Sequence, residues 1–421
     1  MKLKNLLLAS LISLSAILTA CTDDTIVKPQ QELIQISFSW WGNDERNEYT
    51  IEAIKKFEEL HHDIKVKCNY SEWSGYQART KVQMVSNNEC DVMQVNYAWL
   101  EQYSHDGNGY YDINQLNDYI DLSNFSDSEL NYGMQNGRLN AVPIALNTET
   151  IYINKTIYDK YGIDIPENWD DFFKAAEIMN GENYPLAMNL KSSLFYIVSY
   201  AEAKTGKQFI NDDGTLGFDV DDIALMLDFY SELINKKVIP QVEYFDKLSI
   251  ETGEYAGVVA WLSDAENYMQ SAIKNGFEVV VADYPSYDSS NLKWYIKPAT
   301  MYAISCNTEH PKESAILLDF LLNSDEMADF QGIEKGIPLS LSARNYLDEN
   351  NRLNGIQYDA FLKMNNFADS LTLINPYMEN DDLMKSFGQM CNDVFYEKKQ
   401  SHEAAQELYD TFSSILSKYS Q

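Results

Sequence analysis

Between Leu33 and Trp99 short apolar runs alternate with a helical spacing, and this limits the fold more than any other feature of the chain. Leu33 to Phe38 is apolar-rich and β-branched. Ile64 to Cys68 alternates apolar with polar, as a half-buried strand does, and Asp91 to Val95 is a third run of this kind. Between the first two, Ile51, Ile54, Phe57 and Leu60 recur on one helical face. The order β-α-β-α-β implies a parallel sheet with right-handed crossovers. Ligands of such sheets bind beyond the carboxyl ends of the strands. All three carboxyl ends here carry aromatic rings with amides or acids: Trp40, Trp41 and Asn43; Glu72, Trp73 and Tyr76; Asn96, Tyr97 and Trp99. Flat rings suit the C–H faces of a sugar, and the polar groups suit its hydroxyls. One such Trp alone would be read as core. Three clusters at three corresponding strand ends favour a binding rim.

The amino terminus reads as a targeting segment. Lys2 and Lys4 precede an apolar stretch, Leu6 to Leu18, that is too short for a comfortable membrane span. It ends in Leu18-Thr19-Ala20-Cys21, which resembles a bacterial lipobox and implies cleavage before Cys21 and lipidation of its thiol. Residues 1–20 are therefore expected to be a signal peptide and residues 21–32 a lipidated tether. The remaining cysteines, Cys68, Cys90, Cys306 and Cys391, have no zinc spacing. Their spacing gives no disulfide connectivity, and buried free thiols are the default. The formal net charge of −32 argues against a nucleic-acid partner or an anionic membrane surface. It also weighs against an acidic sugar, unless a local Lys or Arg outweighs the screened distant field. Lys191 is a candidate for that role, but a lone lysine reads as surface charge. Asp212-Asp213-Gly214 lacks the rest of a calcium loop and reads as a hairpin turn. No metal, cofactor or nucleotide motif is present.

Further along, Gly137-Arg138-Leu139 runs into Pro143, and Tyr152-Ile153-Asn154-Lys155 closes a strand. Pro166-Glu167-Asn168-Trp169-Asp170-Asp171-Phe172 opens a helix, Val258 to Trp261 reads as a strand ending in an aromatic, and Asp283-Tyr284-Pro285 follows another. In this order and spacing the chain resembles the family 1 extracellular solute-binding proteins of ABC sugar importers, the group that includes maltose-binding protein. The resemblance runs from about Leu33 to the carboxyl terminus. It implies an α/β, two-lobe periplasmic-binding-protein-like fold of type 2, with the ligand cleft between the lobes. The first lobe would comprise residues 33–143 and 300–335, and the second residues 144–299 and 336–421. Crossovers would fall near Val142 to Ala145 and near Lys297 to Thr300. The resemblance adds Asn147, Asn189, Phe195, Trp261, Asp264 and Tyr377 to the expected ligand-binding set.

The expected function is that of an extracytoplasmic lipoprotein of the bacterial membrane. It would capture an oligosaccharide and deliver it to the transmembrane subunits of an ABC permease, as a monomer and without chemistry. Two other readings share the aromatic cleft. A lipid-anchored glycoside hydrolase needs two carboxyl groups about 5–10 Å apart, for which Glu72 and Asp264 are the available pair. The expected lobe-switching order does not supply its usual barrel frame. A receptor presenting sugar to a membrane sensor would look the same from the sequence.

Overall fold

The computed structural model describes residues 33–211, 213–288 and 292–418. Cys21, the expected signal peptide and the tether lie outside the described residues. The strands in chain order are β1 (Ile34–Trp41), β2 (Ile64–Ser71), β3 (Val92–Val95), β4 (Met134–Gln135), β5 (Arg138–Leu139), β6 (Ala141–Asn154), β7 (Gly257–Trp261), β8 (Val279–Val281), β9 (Tyr295–Ile304) and β10 (Thr372–Leu373). One sheet runs β2-β1-β3-β9-β6-β7, with β8 beside β6 and β10 beside β9, while β4 and β5 form a separate ribbon. β1 is parallel to both β2 and β3, as the β-α-β-α-β reading requires. The helix α1 (Asp44–Leu60) connects β1 to β2, and α2 (Trp73–Ser86) connects β2 to β3. A third helix, α3 (Ala98–Ser104), follows β3. In α1 the periodic Ile54 and Phe57 are buried, whereas Leu60, the last helical residue, is exposed.

β6 explains how one sheet serves two cores. All of its 14 residues are buried, and at about 3.3 Å per residue it extends roughly 45 Å. Its first residues, Ala141 to Ala145, pair antiparallel with Ala303 to Thr300 of β9. Its later residues pair with Ile296 to Pro298 and then with β7 and β8. The β6–β9 register shifts between Pro143 and Ala145 and again between Ala145 and Leu146. Proline supplies no ladder donor, so Pro143 suits this irregularity.

One core packs Phe38, Trp40, Phe57, Tyr302 and Leu317. The other packs Trp169, Phe172, Phe195, Leu233 and Phe412 under the helices Leu190–Thr205, Val220–Asn235, Asp381–Phe395 and Ser401–Leu416. Past Gly336, the helix Leu341–Glu349 packs on Asp325–Gln331 through Ala343, Leu347 and Ala328, and Ile356–Asn366 lies against β8 with its Ile356, Ala360, Phe361 and Met364 in the first of these cores. Between Asp112 and Asn124 the chain makes two separate turns, Ile113–Leu116 and Leu122–Asn124. Asp112 and Asp121 accept the backbone N–H two residues on, which starts a new turn each time rather than continuing a helix. The four described cysteines are free thiols, and Cys306 is exposed rather than buried. Of the turn expected at 212–214, Asp212 lies outside the described residues, and Ile210 and Leu216 form an antiparallel bridge.

Candidate functional site

Successive strand residues point to opposite faces, and at the end of β1 this separates two adjacent indoles. Trp40 is fully buried, stacked on Phe38 and on Tyr70 with ring centroids 4.9 Å away in each case. Its Nε1 donates to Asn47 at 3.0 Å. Trp40, expected at the rim, is thus a residue of the first core. Trp41 points the other way and meets Trp73 edge-on at 4.9 Å, with Tyr76 at 5.4 Å and Trp99 at 6.2 Å. Tyr76 stacks on Trp99 at 5.9 Å and Trp99 stacks on Trp73 at 5.7 Å, with interplanar angles of 14° and 12°. The depth is graded. Tyr76 is wholly buried and donates its hydroxyl to the Gln94 carbonyl at 2.7 Å, Trp99 is 3% exposed, and Trp73 is 38% exposed. The stack ends at a groove of about 880 Å³, lined by Trp73, Trp99 and Asn96 on one side and by Lys191, Tyr377 and Glu379 on the other. Tyr97 packs against both the aromatic cluster and the second core, and burial pushes its hydroxyl up to about 12.

Most of the expected polar contacts are already engaged in local structure. Asn43 is exposed and caps α1 by accepting the Arg46 N–H at 2.9 Å. Asn189 caps the helix Leu190–Thr205 through the Ser192 N–H at 3.0 Å. Asn96 accepts the Ala98 N–H at 2.9 Å. Asn147 is buried and pairs twice with Ser263. Glu72 is exposed at the start of α2 and makes no side-chain cap bond there. Asp264 stands before the helix Ala265–Lys274; burial raises its carboxyl, with Lys247 and Lys191 opposing.

β7 ends at Trp261, which is not among the residues lining this groove, and Phe195 meets its ring edge-on at 5.6 Å. The Lys297 and Lys191 ammonium groups lie over its ring, 4.4 and 5.2 Å from the centroid. Both ammonium groups donate to the same oxygen, Oε1 of Glu379, Lys297 at 2.6 Å. Burial alone would raise the Glu379 carboxyl, but Lys297 and Lys191 overcome it and hold it at about 2. Desolvation lowers the Lys297 ammonium, and Glu379 opposes this. Beside them Glu149 is fully buried, accepts the Ser192 hydroxyl at 3.1 Å, and is pushed by burial up to about 8 against the pull of Lys191. It therefore carries its proton at neutral pH.

Lys191, which reads in the sequence as surface charge, is committed to Glu379 on the groove wall. Lys297 and Glu379 do not stand out in the sequence as site residues. A lysine flanked by Tyr295, Ile296 and Pro298 in an otherwise apolar strand is the available signal for the first. Glu379, two residues beyond Tyr377, has none. Among the described residues no helix is long and apolar enough to cross a membrane.

The family model for bacterial extracellular solute-binding proteins matches residues 42–328. The chain is similar in structure to a periplasmic oligogalacturonide-binding protein from Yersinia enterocolitica, with a TM-score of 0.82 and 27% identity, covering 92% of this chain and 100% of that one. It is similar also to a periplasmic solute-binding protein from Pectobacterium atrosepticum, with a TM-score of 0.84, 26% identity and the same coverage. In sequence it is 23% identical over 308 residues to a binding protein of Brucella abortus, covering 69% of this chain and 72% of the relative. With the matched model spanning most of the chain, and the same architecture in its neighbours, the protein belongs to the bacterial extracellular solute-binding protein family.

Proposed function

We propose that this chain captures an oligosaccharide outside the cytoplasmic membrane and hands it to the permease of an ABC importer. The observation that carries the reading is the ring stack Tyr76–Trp99–Trp73, which ends in a half-exposed indole on a groove whose far wall holds Tyr377. Its size supports the reading. A groove of about 880 Å³ suits an oligosaccharide better than a single ion or amino acid. The Yersinia relative, named for binding oligogalacturonide, lends further support.

Capture of this kind works best when two lobes touch the ligand together. We take β6 and β9 as the connections between lobes. Their register shifts at Pro143 and Leu146 mark the place where one half of the sheet can turn against the other. Residues 33–143 and 300–335 then form the first lobe, joined by Leu341–Glu349 on packing grounds, and residues 144–299 with the rest of the carboxyl-terminal part form the second. Lipidation at Cys21 would hold this monomer at the membrane surface through the 21–32 tether.

Calorimetric titration with a panel of neutral and acidic di- to tetrasaccharides tests the reading. Binding of at least one saccharide with a dissociation constant in the micromolar range or tighter is the expected result. Binding of none would overturn it.

A further inference from the structure

Lys191 and Lys297 bring two ammonium groups to one point from separate parts of the fold. Lys191 stands in the first turn of the helix Leu190–Thr205, and Lys297 on β9. Both ammonium groups donate to Oε1 of Glu379 and both lie over the Trp261 ring. The side chains of Lys297 and Glu379 are only 9% and 11% exposed, and that of Lys191 is 35% exposed toward the groove. Taking an ammonium ion out of water is unfavourable unless it is paired. A chain that places two of them together against an indole has built a receptor for negative charge.

The surrounding acids do not neutralise it. Burial raises the Glu149 carboxyl against the pull of Lys191 and favours its neutral form. Asp264 is matched first by Lys247. Glu379 alone faces the pair, and its single oxygen serves two donors. A carboxylate with both oxygens available could take one lysine on each, which is the better geometry. Glu379 sits on the short turn Pro376–Glu379 beside Tyr377, and it lines the groove with Lys191; Lys297 is not among the lining residues and meets that wall through its bond to Glu379.

We propose that Lys191 and Lys297 form the subsite for a carboxylate of the ligand, a subsite that Glu379 holds until the ligand takes it over, and that the oligosaccharide is accordingly built from uronic acids. This rests on the capture reading above and assigns its substrate class. The chain's formal charge of −32 does not oppose it. Exposed charges beyond about 10 Å are largely screened at ordinary ionic strength, whereas a half-buried pair is not.

The test uses trisaccharides of galacturonic, glucuronic and mannuronic acid, each beside its methyl ester, which keeps the ring and linkage and removes the charge. Neutral arabinan, xylan and glucan trisaccharides complete the set. The wild-type protein should bind one acid at least tenfold tighter than its own ester, and this preference should persist as salt rises. In Lys297→Met and in Lys191→Met the ratio of acid to ester affinity should fall toward one. Glu379→Gln should raise the acid's affinity by removing the internal competitor. It should also lower the melting temperature of the protein alone, and the acid should restore it. If Lys297→Met does not fold, the partly exposed Lys191→Met carries the same comparison. A neutral trisaccharide that binds while every acid binds no better than its ester would overturn this proposal and leave the capture reading standing. Binding of no saccharide at all would remove both.

Discussion

Trp40 and Trp41 are neighbours in the chain with opposite environments, and truncation on the two sides of the strand should have different effects. Trp40→Ala removes a fully buried ring from the first core. It should lower the unfolding free energy by about 3–5 kcal/mol. Trp73→Ala, on the side that Trp41 faces, removes a ring that is 38% exposed at the end of the stack. It should weaken saccharide binding by roughly 1–3 kcal/mol, about tenfold to a hundredfold, with a far smaller effect on stability. Denaturant unfolding and calorimetry on both variants check this. Equal losses of stability would mean that Trp73 is structural. Glu149 gives a pH dependence of definite sign. Its carboxyl moves from the ordinary 4.5 to about 8 on folding, so between those values the folded state holds a proton that the unfolded state has released. Stability should therefore fall as pH rises from about 4.5 to about 8. Glu149→Gln should remove that part of the slope, and the gap between the two proteins should widen to a few kcal/mol in order of magnitude by pH 8. The difference isolates Glu149 from Lys335, which burial holds at about 7 and which acts with the opposite slope above that pH. A parallel pair of pH profiles would refute the assignment.

At the scale of elements, the ends of strands are harder to read than their existence. Hydrophobic periodicity is enough to find α1 and the first three strands, because each buries one continuous face or run. The residues just past a strand are ambiguous. An amide at a strand–helix junction can meet a ligand, but it can equally accept a backbone N–H from the first turn of the helix, and Asn43 and Asn189 both do the latter. Asn43→Ala should cost about 1 kcal/mol of unfolding free energy as a lost cap. An unchanged midpoint in a urea titration would remove the capping role and leave Asn43 free to meet a ligand. The aromatic wall is legible because three separate strands each end in rings. The two-lysine cluster is not, since its members stand at 191, 297 and 379 and only the folded chain brings them together. The alternation within β1 is also legible in principle, yet the sequence alone does not say which face of a strand is the core when both carry a tryptophan.

For the molecule as a whole, the proposed connections through β6 and β9 predict a change of shape. If both walls hold the ligand, the closed arrangement is favoured only when ligand is present. Small-angle scattering should therefore show a smaller radius of gyration at saturation, and an unchanged radius would argue for a rigid sheet. The same strands bear on how the chain reaches its destination. Every ladder contact between β3 and β9 joins residues 92–95 to residues 301–304. The first lobe's sheet therefore cannot close while the chain is being made, until Ile304 has left the ribosome, and pairing of such distant segments is slow in any case. The β3–β9 part of the sheet stays unformed through most of the chain's synthesis. That delay would suit a protein expected to be threaded across a membrane in the unfolded state, because the strand order itself postpones completion of the sheet.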